Sequence, residues 1–172
     1  TPRDMPMSEV YEGMSKGTID GLLVGAESLK SFKLADVTKF TTFVPSVGNQ
    51  YLFYIAMNKQ KWDSLGPDLQ KIFNDVFEEY YPKTAVAWNV ANVEGFELAI
   101  SQGAEFITLP DDEAARWQQA VQPVLDAYVA KIAANGFTQG NEQIAFIKER
   151  MKYWESQETT QGIPSEADIK AN

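Results

Sequence analysis

Met5-Pro6-Met7-Ser8-Glu9-Val10-Tyr11-Glu12-Gly13-Met14-Ser15-Lys16-Gly17-Thr18-Ile19-Asp20-Gly21 is the stretch from which the rest of this chain is placed. It predicts the end of a strand, a short helix and the start of a second strand. Ser8 is the expected N-cap, because its hydroxyl can accept a hydrogen bond from an amide of the first turn. Glu9 and Glu12 sit where the positive end of a helix dipole favours acids. Val10, Tyr11 and Met14 recur at helical spacing and form a narrow apolar stripe. Gly17 is expected to stop the helix by accepting a positive φ. Ile19 opens an apolar run, Leu22-Leu23-Val24, interrupted by Asp20-Gly21. A helix that hands its chain to a buried strand within a few residues is half of an α/β layer.

Working outward, residues 22–25 predict a short strand of the kind covered on both faces, since parallel strands so covered are continuously apolar. Gly25 marks its C-terminal end, where the chain turns into Ala26-Glu27-Ser28-Leu29. Ligands of open α/β sheets bind beyond the C-terminal ends of strands, which makes Val24, Gly25 and Glu27 candidate pocket-wall residues. A structural turn with an exposed glutamate is the plainer reading of the same residues. Residues 37–44, mixed Thr, Phe and Val, predict a second strand, and residues 50–57 the strongest strand of the chain. Pro45-Ser46-Val47-Gly48-Asn49 separates them as a breaker.

A short helix is expected over 59–65, then a long element over about 68–101. There Leu69, Ile72, Phe73, Val76, Tyr80, Ala87, Ala91 and Leu98 recur at steps of three and four. At about 1.5 Å per residue it would span roughly 50 Å, more than the width of one small domain. Pro82 inside it predicts a kink over 78–82 or two helices in series. Gly95 signals either close packing or a weak point. Residues 105–109 predict a strand. A helix from Asp111 or Asp112 as cap runs to about 134, and another spans about 141–156. Residues 158–172 form a polar tail with a weak capping box over 165–168.

The 172 residues allow one ordinary domain with a real core, and 44% apolar content is that of a globular protein. The net charge of −9 argues against nucleic acid or an anionic membrane surface as a partner. There is no cysteine and no histidine, which removes disulfides, thiolate nucleophiles, Cys/His zinc sites and histidine-based triads. Asp111-Asp112-Glu113 is explained by helix capping, and Glu78-Glu79 lies on a solvated helix face. No phosphate loop, internal repeat or metal-spaced acid set is present, so no cofactor is expected. The abrupt start at 1–7 leads to the expectation that the chain is cut from a longer parent.

The opening stretch resembles the Ser-Glu-Val-Tyr-x-x-(Met/Leu)-x-x-Gly-x-(Ile/Val)-Asp-Gly signature of the solute-binding proteins of tripartite ATP-independent periplasmic (TRAP) transporters. Downstream, Glu27-Ser28-Leu29 and Val37-Thr38-Lys39-Phe40 are similar to the family's strand–helix–strand run. Asn58, Trp62, Leu65 and Pro67-Asp68-Leu69-Gln70 are similar to its Asn-x-x-x-Trp-x-x-Leu-Pro-x-x-x-Gln segment; Gly66 and Pro82 depart from the pattern. The likeness runs along essentially the whole chain. It implies an α/β protein: the C-terminal part of a two-domain periplasmic-binding-protein-like (type II-like) fold with a long domain-spanning helix.

By that resemblance residues 1–49 belong to the second domain, 50–88 cross into the first, 89–157 return and 158–172 are the tail. The family's carboxylate-clamping arginine would lie upstream of Thr1. The implied function is a periplasmic receptor, not an enzyme, that delivers a small organic acid to membrane subunits. Met7 matches a side chain packing on the ligand. Val24 matches an asparagine of the sialic-acid branch, which points to a less polar ligand than a sugar acid. The loop 45–50, with Val47 and Gln50, matches the pocket edge near the hinge. Two alternatives stand beside this one: an enzyme of unknown class on an α/β domain, and a helical interaction domain without a pocket. Apolar surface left by an absent first domain is expected to be covered by that domain, or by a second copy in an intertwined dimer.

Overall fold

Gly17 ends the first helix as its position requires. In the computed structural model, which describes residues 1–44, 47, 53–165 and 169, helix α1 spans Met7–Ser15 and Gly17 has φ 68°. The amides of Gly17 and Thr18 donate to the carbonyls of Met14 and Gly13, at 3.1 and 2.9 Å. This paired closure uses up carbonyls that a helix end otherwise leaves bare. Gly103, Gly136 and Gly162 end later helices with the same pair of bonds. The start of α1 differs from expectation. Pro6, not Ser8, is the N-cap, and no side chain caps the helix. Proline's fixed φ already suits that position, so the helix begins two residues earlier and Ser8 lies within its first turn.

The remaining elements are α2 (Ser28–Ser31), a 3₁₀ turn (Leu34–Asp36), β1 (Phe40–Phe43), α3 (Lys59–Ser64), α4 (Gly66–Ser101), β2 (Glu105–Thr108), α5 (Asp111–Ala134) and α6 (Gly140–Gln161). The fold is therefore mixed helix and sheet. β1 and β2 pair in parallel, Phe40 opposite Glu105 and Phe43 opposite Thr108. The connection between them runs through α3 and α4, as parallel strands require a long crossover.

Two expected strands carry no ladder. Residues 22–25 are extended but unpaired among the described residues. Leu22 and Val24 pack on the core while Leu23 is 79% exposed, an alternation of period two in place of the expected cover on both faces. Of residues 50–57, positions 50–52 lie outside the described residues. The others form no strand, and Ile55 is 87% exposed. A run with strand propensity becomes a strand only beside a partner, and none is present among the described residues.

The core joins Val10 of α1, Ala26, Leu29 of α2, Leu34 and Ala35 of the 3₁₀ turn, and Phe96 and Ala99 of α4. The C-terminal half of α4 supplies it through Asn92, Gly95, Phe96 and Ala99, at i, i+3, i+4 and i+7. That is not the face marked by the large apolar residues. Leu69, Ile72, Phe73, Val76 and Tyr80 are all exposed. Pro82 lies inside one continuous helix rather than between two. The Thr84 hydroxyl donates to the Tyr80 carbonyl at 3.0 Å near the break in the ladder. Asn58 caps α3 by accepting from the Lys61 amide at 3.2 Å. Gln70 Nε2 donates to the Trp62 carbonyl at 2.8 Å, so these family-pattern residues hold α3 against α4.

α5 begins after Pro110 with no side-chain cap, so neither Asp111 nor Asp112 is the cap; both, with Glu113, lie in the first turn and complement the dipole. Glu113 also accepts from Arg116 at 2.6 Å and Trp117 Nε1 at 2.9 Å. α6 runs to Gln161, five residues beyond the expected end at 156. Asn89 of α4 donates to Glu158 near that end at 2.8 Å. The 165–168 capping box lies outside the described residues except for Ser165. Ile169 packs against the core.

Candidate functional site

The turn at residues 25–28, which follows the extended run 22–24, is held on α4 by two close contacts. It closes on itself first. The Ser28 amide and hydroxyl both donate to the Gly25 carbonyl, at 3.1 and 2.6 Å, and Ser28 is fully buried. The Glu27 amide donates to Asn92 Oδ1 of α4 at 3.0 Å. The Ala26 carbonyl lies against Gly95 so closely that a Cβ there would sit 2.1 Å from its oxygen. Gly95 is thus a close-packing position. Lys30 Nζ and Glu94 Oε2, 2.8 Å apart, add an ion pair between α2 and α4. Both side chains are about half exposed, so this pair contributes about 0–1 kcal/mol.

The Glu27 side chain is not simply exposed, as a plain turn would leave it. Its Oε2 is buried without a hydrogen-bond partner. The carboxyl folds over Gly25, where a Cβ would lie 2.1 Å from Oε2, so Gly25 must be glycine for the carboxyl to rest there. Burial pushes this carboxyl above the ordinary carboxylate range, against a downward pull from the amides of Glu27 and Ser28. Both amides are already committed, to Asn92 and to the Gly25 carbonyl. Desolvation therefore outweighs them.

Met7, the first residue of α1, and Val24 are half-buried and pack on the same core. The structure thus gathers Val24, Gly25 and Glu27 along one short segment and sets Met7 on the cluster beneath it. Val47 is half-buried, and its amide donates to the Val44 carbonyl at 3.2 Å. Gln50 lies outside the described residues. A groove of about 460 Å³ opens beside Glu27, between α2 and α4, and is lined also by Phe32, Trp88 and Glu94. Phe53 packs on Trp88 with the rings tilted and their centroids 4.5 Å apart.

Asn92 and Trp88 were not singled out from the sequence. A polar residue at the correct helical step from Gly95 and Phe96 was the available signal for Asn92. Replacing it with leucine keeps the bulk and leaves the Glu27 amide unpaired. Asn92→Leu is expected to cost about 1–3 kcal/mol, read as a lower urea midpoint. An unchanged midpoint would show that the turn does not depend on this bond.

Among the described residues no group of acids is placed to hold a metal ion, and no helix is long and apolar enough to cross a membrane. The chain is similar to known solute-binding proteins. Residues 1–132 match the family described as bacterial extracellular solute-binding protein, family 7. The C4-dicarboxylate-binding periplasmic protein DctP of Rhodobacter capsulatus is 30% identical over 153 residues, covering 86% of this chain and 42% of that protein. The chain therefore spans less than half the length of this relative. The family match takes in α1, the 25–28 turn, both strands and all of α4, and its members bind solutes extracytoplasmically rather than transforming them. On that match, this chain belongs to the bacterial extracellular solute-binding protein family 7.

Proposed function

We propose that this chain is the C-terminal portion of a periplasmic TRAP receptor that captures a small organic acid between two domains and presents it to membrane subunits. The family match over residues 1–132 carries this reading. The ligand class follows the R. capsulatus relative, whose name specifies C4-dicarboxylates. In the proposed arrangement residues 1–49 and 89–157 form one domain, 50–88 cross into the other, and α4 spans both. The exposure of residues 53–57 and of Leu69, Ile72, Phe73 and Val76 supports it, since these would be the surfaces covered by the first domain. A second copy of the chain in an intertwined dimer is the other cover.

The pocket wall in this reading comprises Met7, Val24, Gly25 and Glu27, with Val47 and Gln50 at its edge. This wall is apolar apart from Glu27 and, at its edge, Gln50. A dicarboxylate needs cationic partners, and Lys30 is already paired with Glu94. In this reading the clamping charge is the arginine that the family resemblance places upstream of Thr1, as a bidentate partner.

The test is thermal denaturation of the two-domain receptor with succinate, malate, fumarate and longer carboxylates. A ligand at 100 times its Kd adds about 2.7 kcal/mol, which raises Tm by several degrees, less per kcal/mol the larger the protein. No rise with any carboxylate, alongside a rise with a neutral or cationic solute, would overturn the ligand class. No response to any small solute would overturn the receptor reading itself.

A further inference from the structure

Glu27, a wall residue in the reading above, carries an unpartnered oxygen at the point where the 25–28 turn meets α4. Three contacts converge there. The Ala26 carbonyl presses on Gly95, the Glu27 amide is held by Asn92 at 3.0 Å, and the Glu27 carboxyl is folded over Gly25 with Oε2 buried. A neutral carboxyl can stay in that position at modest cost. A carboxylate stays there only at a larger cost, because its desolvation outweighs the pull of the Glu27 and Ser28 amides, which are committed to Asn92 and the Gly25 carbonyl. The charged groups on the elements packed around it are Lys30 and Lys33 near α2, Asp36 of the 3₁₀ turn and Glu94 of α4. Asp36 accepts from Gln102 at 3.1 Å. Lys30 and Glu94 line the groove with Glu27, and they are paired with each other at the half-exposed surface. Lys30, three residues on, is one helical turn from Glu27 and is the cation an outward-turned carboxylate would meet.

We propose that Glu27 is a proton-linked latch: with its proton it stays folded on Gly25 and seats the 25–28 turn on α4, and without it the carboxylate swings into the groove toward Lys30 and loosens the turn. The latch stands on this geometry alone and holds whatever solute the protein carries. The direction of the pH dependence follows from the burial of the carboxyl. As pH rises through the ordinary carboxylate value, the unfolded chain loses this proton while the folded chain keeps it. Stability falls over that window, by up to about tenfold in the folding constant per pH unit, and levels once the folded form has also ionised. The contribution is fully present at low pH and lost as pH rises.

The test compares this chain with Glu27→Gln, which keeps shape and hydrogen-bonding capacity but cannot ionise. Urea midpoints are measured from pH 4 to pH 8, and the Gly25 amide is followed by NMR over the same range. Expected is a stability difference that grows in favour of Glu27→Gln as pH rises, and a Gly25 amide that titrates in the parent and not in the variant. Lys30→Met removes the cation and should move the Gly25 midpoint to higher pH, a readout that survives even if Glu27→Gln folds poorly. A stability difference independent of pH would overturn the latch. So would a Gly25 amide that does not titrate, or that titrates alike in both proteins.

Discussion

Phe96→Ala is expected to cost about 3–5 kcal/mol, the largest single loss anticipated in this chain. Phe96 is buried in the C-terminal half of α4 and meets the edge of Phe43 from β1 at 5.9 Å and of Phe106 from β2 at 5.1 Å. One ring therefore bonds the crossover helix to both strands of the parallel pair. Truncation removes its transfer energy and leaves a cavity, and the neighbours cannot close it, because the two strands are fixed in register with each other. Edge-to-face contacts of this kind add about 0.5–1.5 kcal/mol beyond buried area. Domains of this size hold about 5–15 kcal/mol in all, so the variant should show a strongly lowered urea midpoint and a broadened thermal transition by circular dichroism. A loss under about 1 kcal/mol would mean that Phe96 is not the pin between helix and sheet.

Gly95→Ala is the second. On an isolated helix this change would stabilise by about 1 kcal/mol through propensity. Here the added Cβ would lie 2.1 Å from the Ala26 oxygen and 2.9 Å from the Ala26 carbonyl carbon. Both are backbone atoms, which cannot rotate away as a side chain would. The turn must lift off α4, which also strains the bond from the Glu27 amide to Asn92 Oδ1. Overpacking costs about 1–3 kcal/mol and a lost hydrogen bond about 0.5–1.5 kcal/mol, so destabilisation wins. A net loss of about 1–3 kcal/mol by urea denaturation is expected, together with shifted amide resonances at 25–28. A midpoint equal to or above that of the parent would show that propensity prevailed and that the turn is not seated on Gly95. Gly95→Val should be worse still, since its added methyls meet the same carbonyl.

Much of the local structure was legible because its causes are local. Periodicity marked the helices, and glycines set their ends at Gly17, Gly103 and Gly136, where a positive φ is needed. The Thr/Phe run around 40–43 and the Phe-Ile-Thr run around 106–108 announced the two strands through side-chain type. Helix starts were less legible. Ser8 and Asp111 or Asp112 are good caps in isolation, but Pro6 and Pro110 precede them and take the boundary. Glu27 was visible as a residue beyond a strand end, though the plainer reading left it in solvent. Nothing in the sequence shows that the Glu27 carboxyl lies over Gly25.

By itself, the sequence determined the long helices, their glycine stops and the residue runs of the two strands, since each rests on residues close together along the chain; that the two strands pair, and in parallel, was decided by the tertiary structure. Tertiary structure alone decided which face of α4 is inside. Leu69, Ile72 and Phe73 are the more apolar residues, yet Asn92, Gly95, Phe96 and Ala99 are buried. The reason is distance of approach. The turn at 25–28 reaches α4 only where a glycine admits a carbonyl and an asparagine can receive an amide, and a hydrophobicity pattern measures neither.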